Sequence, residues 1–255
     1  MQPKPISVQL YSLREAAKSD FPGVLKRVAA MGYQGVEPAG FHNYKPAEFR
    51  KVVEDLGMRV SSSHGPWCNP SNLNEAIDTA GILGLDLVST GYGPEQFKTL
   101  DAIRKTAETV SGMAEKLARA GLKLFLHNHW WEFCLVEGRL AYDWFAELCP
   151  QALFEIDTYW AANFGANDPA QQVAKFKQRT PLLHIKDGPL VKDAPMVAVG
   201  RGKMNFPAVI AAADPRVLRW LVVELDACAT DMFQAVEDSY TYLVGQGLAT
   251  GNRKV

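Results

Sequence analysis

One unit recurs along this chain: a helical stretch, a residue that stops the helix, and a short apolar run that ends in a polar or charged residue. It reads AAMGYQGVE around Gly32, EDLGMRVSSSH around Gly57, GILGLDLVST around Gly84 and ARAGLKLFLHNH around Gly121. Glycine suits the left-handed position just past a helix C-terminus. Three further runs, LFEID, LLHIKD and LRWLVVELD, follow Pro150, Pro181 and Pro215, which cannot continue a helix. With the opening run Ile6 to Tyr11, the sequence predicts eight strands.

The stretches between these runs carry helical signals. Asp20 caps a helix with Pro22 in its first turn, and Leu25, Val28 and Ala29 share one face before Gly32. Phe49, Val52, Val53 and Leu56 have the i, i+3, i+4, i+7 spacing of an amphipathic helix, bounded by Pro46 and Gly57. Leu100 to Ala120 repeats the stripe through Ile103, Val110, Met113, Ala114 and Leu117. The runs are apolar at nearly every position, as strands covered on both faces are. Such strands alternating with helices define βα units and a parallel sheet. The 255 residues allow about 32 per unit, the scale of a closed (β/α)8 TIM barrel. An open doubly wound sheet is the alternative, but no GxGxxG follows the first strand, where the turn reads YSLREAAKSD, and no Walker A sequence occurs. With no linker or low-complexity stretch, residues 1–255 are expected to form a single domain.

Composition narrows the function classes. The chain has 27 Lys+Arg against 28 Asp+Glu, a formal net charge of −1 and a pI near 6.5. That balance offers no basic surface for a phosphate backbone, so no nucleic-acid partner is expected. Its apolar runs, such as Leu122 to Leu126 and Trp220 to Val223, fall far short of the roughly 20 residues that span a bilayer, so no membrane partner is expected either. Met1 to Ser12 shows no leader-like pattern, which places the expected protein in the cytoplasm. Cys68, Cys134, Cys149 and Cys228 are widely spaced and read as reduced packing residues.

In a parallel barrel every strand delivers its C-terminal end to the same face. The residues delivered here are Glu37, His64, His127 with His129, Asp157, His184 with Lys186, and Glu224 with Asp226; four of the five histidines are among them. Imidazoles and carboxylates from separate strands make an N/O ligand set for a divalent transition ion. The strand period of two places Glu155 with Asp157, His127 with His129, His184 with Lys186 and Glu224 with Asp226 on common faces. Each pair can supply one ligand and one deeper partner that orients it. Glu37, His64, Glu132 and Trp160 are the candidates for contacts to a substrate, with Trp130, Trp131 and Tyr159 as further aromatic material for the floor of a sugar site. Each has an ordinary structural alternative, and Glu132 reads equally as a solvated loop residue. The loop from Val197 to Pro207 reads equally as a lid or as an ordinary barrel loop.

The strings VQLYSLR, GYQGVEPAGF, SSSHGPW, LFLHNHWWEF, FEIDTYWA, LLHIKDGP and VVELD, in this order over nearly the whole chain, resemble the sugar phosphate isomerase/epimerase family. This is part of the xylose isomerase-like barrel superfamily, which also holds ketose 3-epimerases, hydroxypyruvate isomerase, inosose dehydratase and endonuclease IV. In that superfamily one divalent ion is typically held by Glu, Asp, His and Glu from strands five to eight. The resemblance therefore implies Asp157, His184 and Glu224 as metal ligands, and one ion, Mn²⁺ first, with Zn²⁺, Co²⁺, Fe²⁺ or Mg²⁺ as alternatives. Strand five departs from the pattern, with HNH where many members have Glu. His127 or His129 must take that place, and His129 is slightly favoured.

The implied chemistry is isomerisation or epimerisation of a sugar, keto-sugar or polyol ketone through an enediolate. Glu224 or His127 removes the proton next to the carbonyl, and Lys186 steadies the charge that develops. Loss of a β-hydroxyl or glycosidic oxygen from the same intermediate gives a dehydratase or lyase, and a carbohydrate-binding barrel without catalysis is the non-enzymatic alternative. The expected partner is a small carbohydrate. Barrels of this superfamily often form homodimers, and no feature of the sequence marks an interface.

Overall fold

A computed structural model describes residues 2–255. The eight apolar runs form β1 (Lys4–Gln9), β2 (Gly35–Glu37), β3 (Arg59–Val60), β4 (Leu87–Thr90), β5 (Lys123–His127), β6 (Leu153–Asp157), β7 (Leu182–Ile185) and β8 (Trp220–Val223). All pair in parallel, in the order β3-β2-β1-β8-β7-β6-β5-β4. The ends of that path, β3 and β4, are consecutive in sequence. Beyond the last residue of β3 the Cys68 amide donates to the Ser89 carbonyl of β4 at 2.8 Å and the Ser89 hydroxyl donates to the Ser63 carbonyl at 2.6 Å, which closes the curled sheet into the predicted barrel.

Each strand leads to a helix: α1 (Arg14–Met31), α2 (Pro46–Asp55), α3 (Leu73–Leu83), α4 (Leu100–Arg119), α5 (Ala141–Leu148), α6 (Pro169–Phe176), α7 (Phe206–Ala211) and α8 (Met232–Gly245). Gly32, Gly57, Gly84 and Gly121 have φ of +101°, +75°, +74° and +75°, the left-handed stops read from the sequence. α1 begins earlier than expected, at Arg14, but it is kinked at Asp20, whose side chain accepts from the Gly23 amide at 2.9 Å and caps the second part as expected. The stripe on α4 is buried in full. No helix among the described residues is long and apolar enough to cross a membrane. All four cysteines are free.

The strand period of two separates two environments. Outward residues such as Val8, Val36, Leu124, Phe154, Leu183 and Leu221 are covered by the helices. Leu87, Phe125, Leu182, Trp220 and Val222 form a distinct apolar cluster, which plugs the lower barrel. Two positions further along several of the same strands stand Ser89, His127, His184 and Glu224, so the interior turns polar at its upper end.

The plug depends on one glycine. A Cβ at Gly35 would lie 2.8 Å from Cζ3 of Trp220, although the backbone there is not left-handed. Gly35→Ala therefore tests packing alone. It should cost about 1–3 kcal/mol, the range for overpacking a core. At roughly 2–4 °C per kcal/mol for a chain of this size, the thermal midpoint should fall by several degrees. An unchanged midpoint would show that the indole can move aside.

Candidate active site and metal centre

The polar end of the barrel has two tiers. The deeper one centres on Glu155, the inward neighbour of Asp157 two residues along β6. Its Oε2 lies 2.6 Å from His64 Nε2 and 3.2 Å from His127 Nδ1, and its Oε1 lies 3.3 Å from His184 Nε2. Glu37 completes this tier, with Oε1 at 2.8 Å from His184 Nε2 and accepting from Gln9 Nε2 at 2.6 Å, while Ser62 donates to its other oxygen. Burial alone would lower the pKa of His64 and His184, but the carboxylates around them raise it, for His184 well above the ordinary imidazole value. The same ion pairs hold Glu155 far below the usual carboxylate range despite its burial.

The upper tier is built around Lys186, which is 1% exposed. Its ammonium lies 2.8 Å from Asp157 Oδ2, 2.7 Å from Glu224 Oε2 and 2.8 Å from Asp226 Oδ2. Glu224 Oε2 also sits 2.9 Å from His184 Nδ1. Burial would push the Glu224 carboxyl up, but Lys186 and His184 hold it well below its usual value, so it is ionised. Asp157 is pushed up to about 6 by burial. Its Oδ1 accepts from the Trp160 amide at 2.9 Å, so it also caps the short helical turn after β6.

Two groups of buried donors have ligand atoms within 4.8 Å of one another: His127, Asp157, His184 and Glu224 above, and His64, His127, Glu155 and His184 below. His127 and His184 belong to both. His129 belongs to neither; it borders the same cavity as His127, with ring centroids 5.2 Å apart, but the expectation that the strand period places it there is corrected. Strand β5 ends at His127, so the period of two does not extend past it. The His129 ring instead stacks on Trp131, with centroids 4.3 Å apart and planes 12° from parallel. Glu132 is also corrected as a solvated loop residue. It is fully buried, with Oε2 accepting from the His129 amide at 2.9 Å, and burial raises its pKa to about 8.

The remaining candidates fall around a cavity of about 200 Å³ whose wall includes His64, Trp67, His127, His129, Lys186 and Glu224. Glu37 lies below, fully buried, and supports His184 and His64 from the deeper tier. Trp160 flanks the cavity, with the Lys186 ammonium 5.4 Å from its ring centroid. Sequence reasoning named Glu155 only as a deeper partner; the tight packing of three imidazoles around it is the missing part. It also passed over Asp187, two residues past the end of β7. The Asp187 carboxylate accepts from the amides of Gly188, Gly200, Gly202 and Met204 at 2.8–3.1 Å. The loop from Val197 to Pro207 is thus pinned at its centre.

This architecture has known counterparts. A family described as the xylose isomerase-like TIM barrel matches residues 25–238, and the chain belongs to that family. Among solved structures, a sugar phosphate isomerase/epimerase from Parabacteroides distasonis is 26% identical, with 99% of this chain and 96% of that chain covered and a TM-score of 0.79. An L-ribulose 3-epimerase shares 16% identity, with 96% and 94% covered and a TM-score of 0.71. A probable 3-DHS dehydratase from Bacillus anthracis shares 11%, with 94% and 98% covered and a TM-score of 0.72. The last two share the fold alone. A search of curated proteins found no match.

Proposed function

We propose that this chain isomerises or epimerises a sugar, keto-sugar or polyol ketone by moving a proton next to the carbonyl. The observation that carries the reading is a carboxyl group, Glu224, on the wall of a polar cavity, with a buried ammonium 2.7 Å from its Oε2. That pairs a base with a fixed positive charge for the oxyanion that proton removal creates.

A divalent ion is the cofactor we assign, with Mn²⁺ the first choice for an N/O donor set. The donors fit once the ion displaces the His184 proton: two imidazoles and two carboxylates, all buried, with atoms within 4.8 Å of one another. Burial and the nearby charge of His184 keep His127 well below the ordinary imidazole pKa, so it offers a free lone pair. His127, Asp157, His184 and Glu224 would hold the ion, with Glu37 orienting His184 from behind. Asp226 gives the Lys186 ammonium a partner beyond the two ligand carboxylates. When bound, the ion supplies Lewis acidity to the carbonyl oxygen and its neighbouring hydroxyl.

The remaining steps belong to the chain. Glu224 takes the proton from the hydroxyl-bearing carbon next to the carbonyl. Lys186 donates hydrogen bonds to the enediolate oxygen. The protonated Glu224 then returns the proton to the neighbouring carbon, which completes isomerisation, while His127, whose one lone pair would hold the ion, keeps its Nδ1 toward Glu155 at 3.2 Å.

Proton exchange tests this directly. With Mn²⁺ in deuterated solvent, NMR should show loss of a substrate C–H signal for at least one member of a panel of ketoses and 3-keto sugars, and chelation should abolish it. No exchange across the panel would overturn the reading.

A further inference from the structure

A second cavity, of about 280 Å³, adjoins the first. Asp226 lines both, and Trp160, beside the Lys186 ammonium, belongs to the second wall. The two lobes differ in chemistry. The first is walled mainly by imidazoles and charged groups. The second is framed by the half-buried rings of Trp130, Trp160 and Phe164, with Lys192 at its edge, 5.3 Å from the Trp130 ring centroid.

Size and surface point the same way. At about 200 Å³ the polar lobe alone lies below the roughly 300–1,000 Å³ of typical ligand pockets, and only with the aromatic lobe does the site reach that range. Flat aromatic faces offer apolar area with little loss of side-chain entropy, a match for the C–H face of a sugar ring. The charges at the aromatic lobe are of both signs, Lys192 against Asp193 and Asp226, which suits a neutral ring with hydroxyls better than a phosphate. Val191, 53% exposed, stands at the same rim.

We propose that the substrate carries two linked rings: the reacting sugar over Glu224 and Lys186, and a glycosidically attached second pyranose on Trp130 and Trp160. This rests on the function proposed above and names its substrate class as a glycoside rather than a free monosaccharide.

Calorimetric titration of the intact chain with D-glucose, cellobiose, maltose and trehalose tests the assignment. At least one disaccharide should bind ten-fold or more tightly than D-glucose. Trp130→Ala should remove that preference while leaving the D-glucose affinity within two-fold. Val191→Trp, which fills the lobe from an exposed position without opening the core, should do the same. Equal affinity for one-ring and two-ring probes, no binding of any probe, or a preference that survives both substitutions would overturn the proposal. Proton exchange on a free ketose with no disaccharide preference would sink the second subsite and leave the reaction standing. A disaccharide preference without exchange on any ketose or keto-glycoside would do the reverse.

Discussion

Lys186→Met will lower the thermal midpoint of this chain more than any other single change at the barrel mouth. The ammonium is 1% exposed and touches three carboxylates, Asp157, Glu224 and Asp226, at 2.7–2.8 Å. Methionine keeps most of the volume and removes the charge. Asp157 and Glu224 are then buried with their shared cation gone, and breaking a buried ion pair from one side costs about 3–5 kcal/mol. At roughly 2–4 °C per kcal/mol, the midpoint should drop by about 6–20 °C. Added Mn²⁺ should restore more stability to this variant than to the parent, because a cation at the donor set takes over the lost compensation. Differential scanning calorimetry with and without Mn²⁺ reads both effects. A midpoint within about 2 °C of the parent would mean that the three carboxylates are not held together by this ammonium.

The architecture was legible because its signals are local and repeated. Gly32, Gly57, Gly84 and Gly121 stop helices through a backbone conformation that few other residues adopt readily, and each adopts it. The apolar plug and the polar tier follow from a period of two that the strands maintain. The same rule explains the failures. It holds only while the chain is extended, and β5 ends at His127, so His129 could not be placed by counting. Its amide is tied to Glu132 three residues on, a spacing visible in HWWE whose meaning depends on burial. Glu155 was visible as an inward residue, but the convergence of His64, His127 and His184 upon it depends on three different strands and one loop. Asp187 reads as one more polar residue at the end of a strand. Only the path of the Gly200 to Met204 segment shows that its carboxylate collects backbone amides.

Glu224→Gln will sharply slow proton exchange while leaving the barrel folded. The substitution preserves shape and removes the only property a general base needs, an available lone pair on an ionised oxygen. Loss of a positioned acid–base group costs about 10²–10⁴ in rate, and the exchange rate should fall by that factor. Stability should change less than for Lys186→Met, because the amide oxygen can still accept from Lys186, which keeps Asp157 and Asp226 as charged partners. The comparison separates roles that lie 2.7 Å apart: Lys186 balances buried charge, whereas Glu224 handles the proton. Metal content measured on the same sample, beside an Asp157→Ala control, resolves the second duty of Glu224. Loss of metal from both variants supports shared ligation. Retention by Glu224→Gln with exchange still lost makes Glu224 a base alone. If Glu224→Gln exchanged protons at the parent rate, the base would have to be another group on the cavity wall, and the neutral His127 imidazole would take its place.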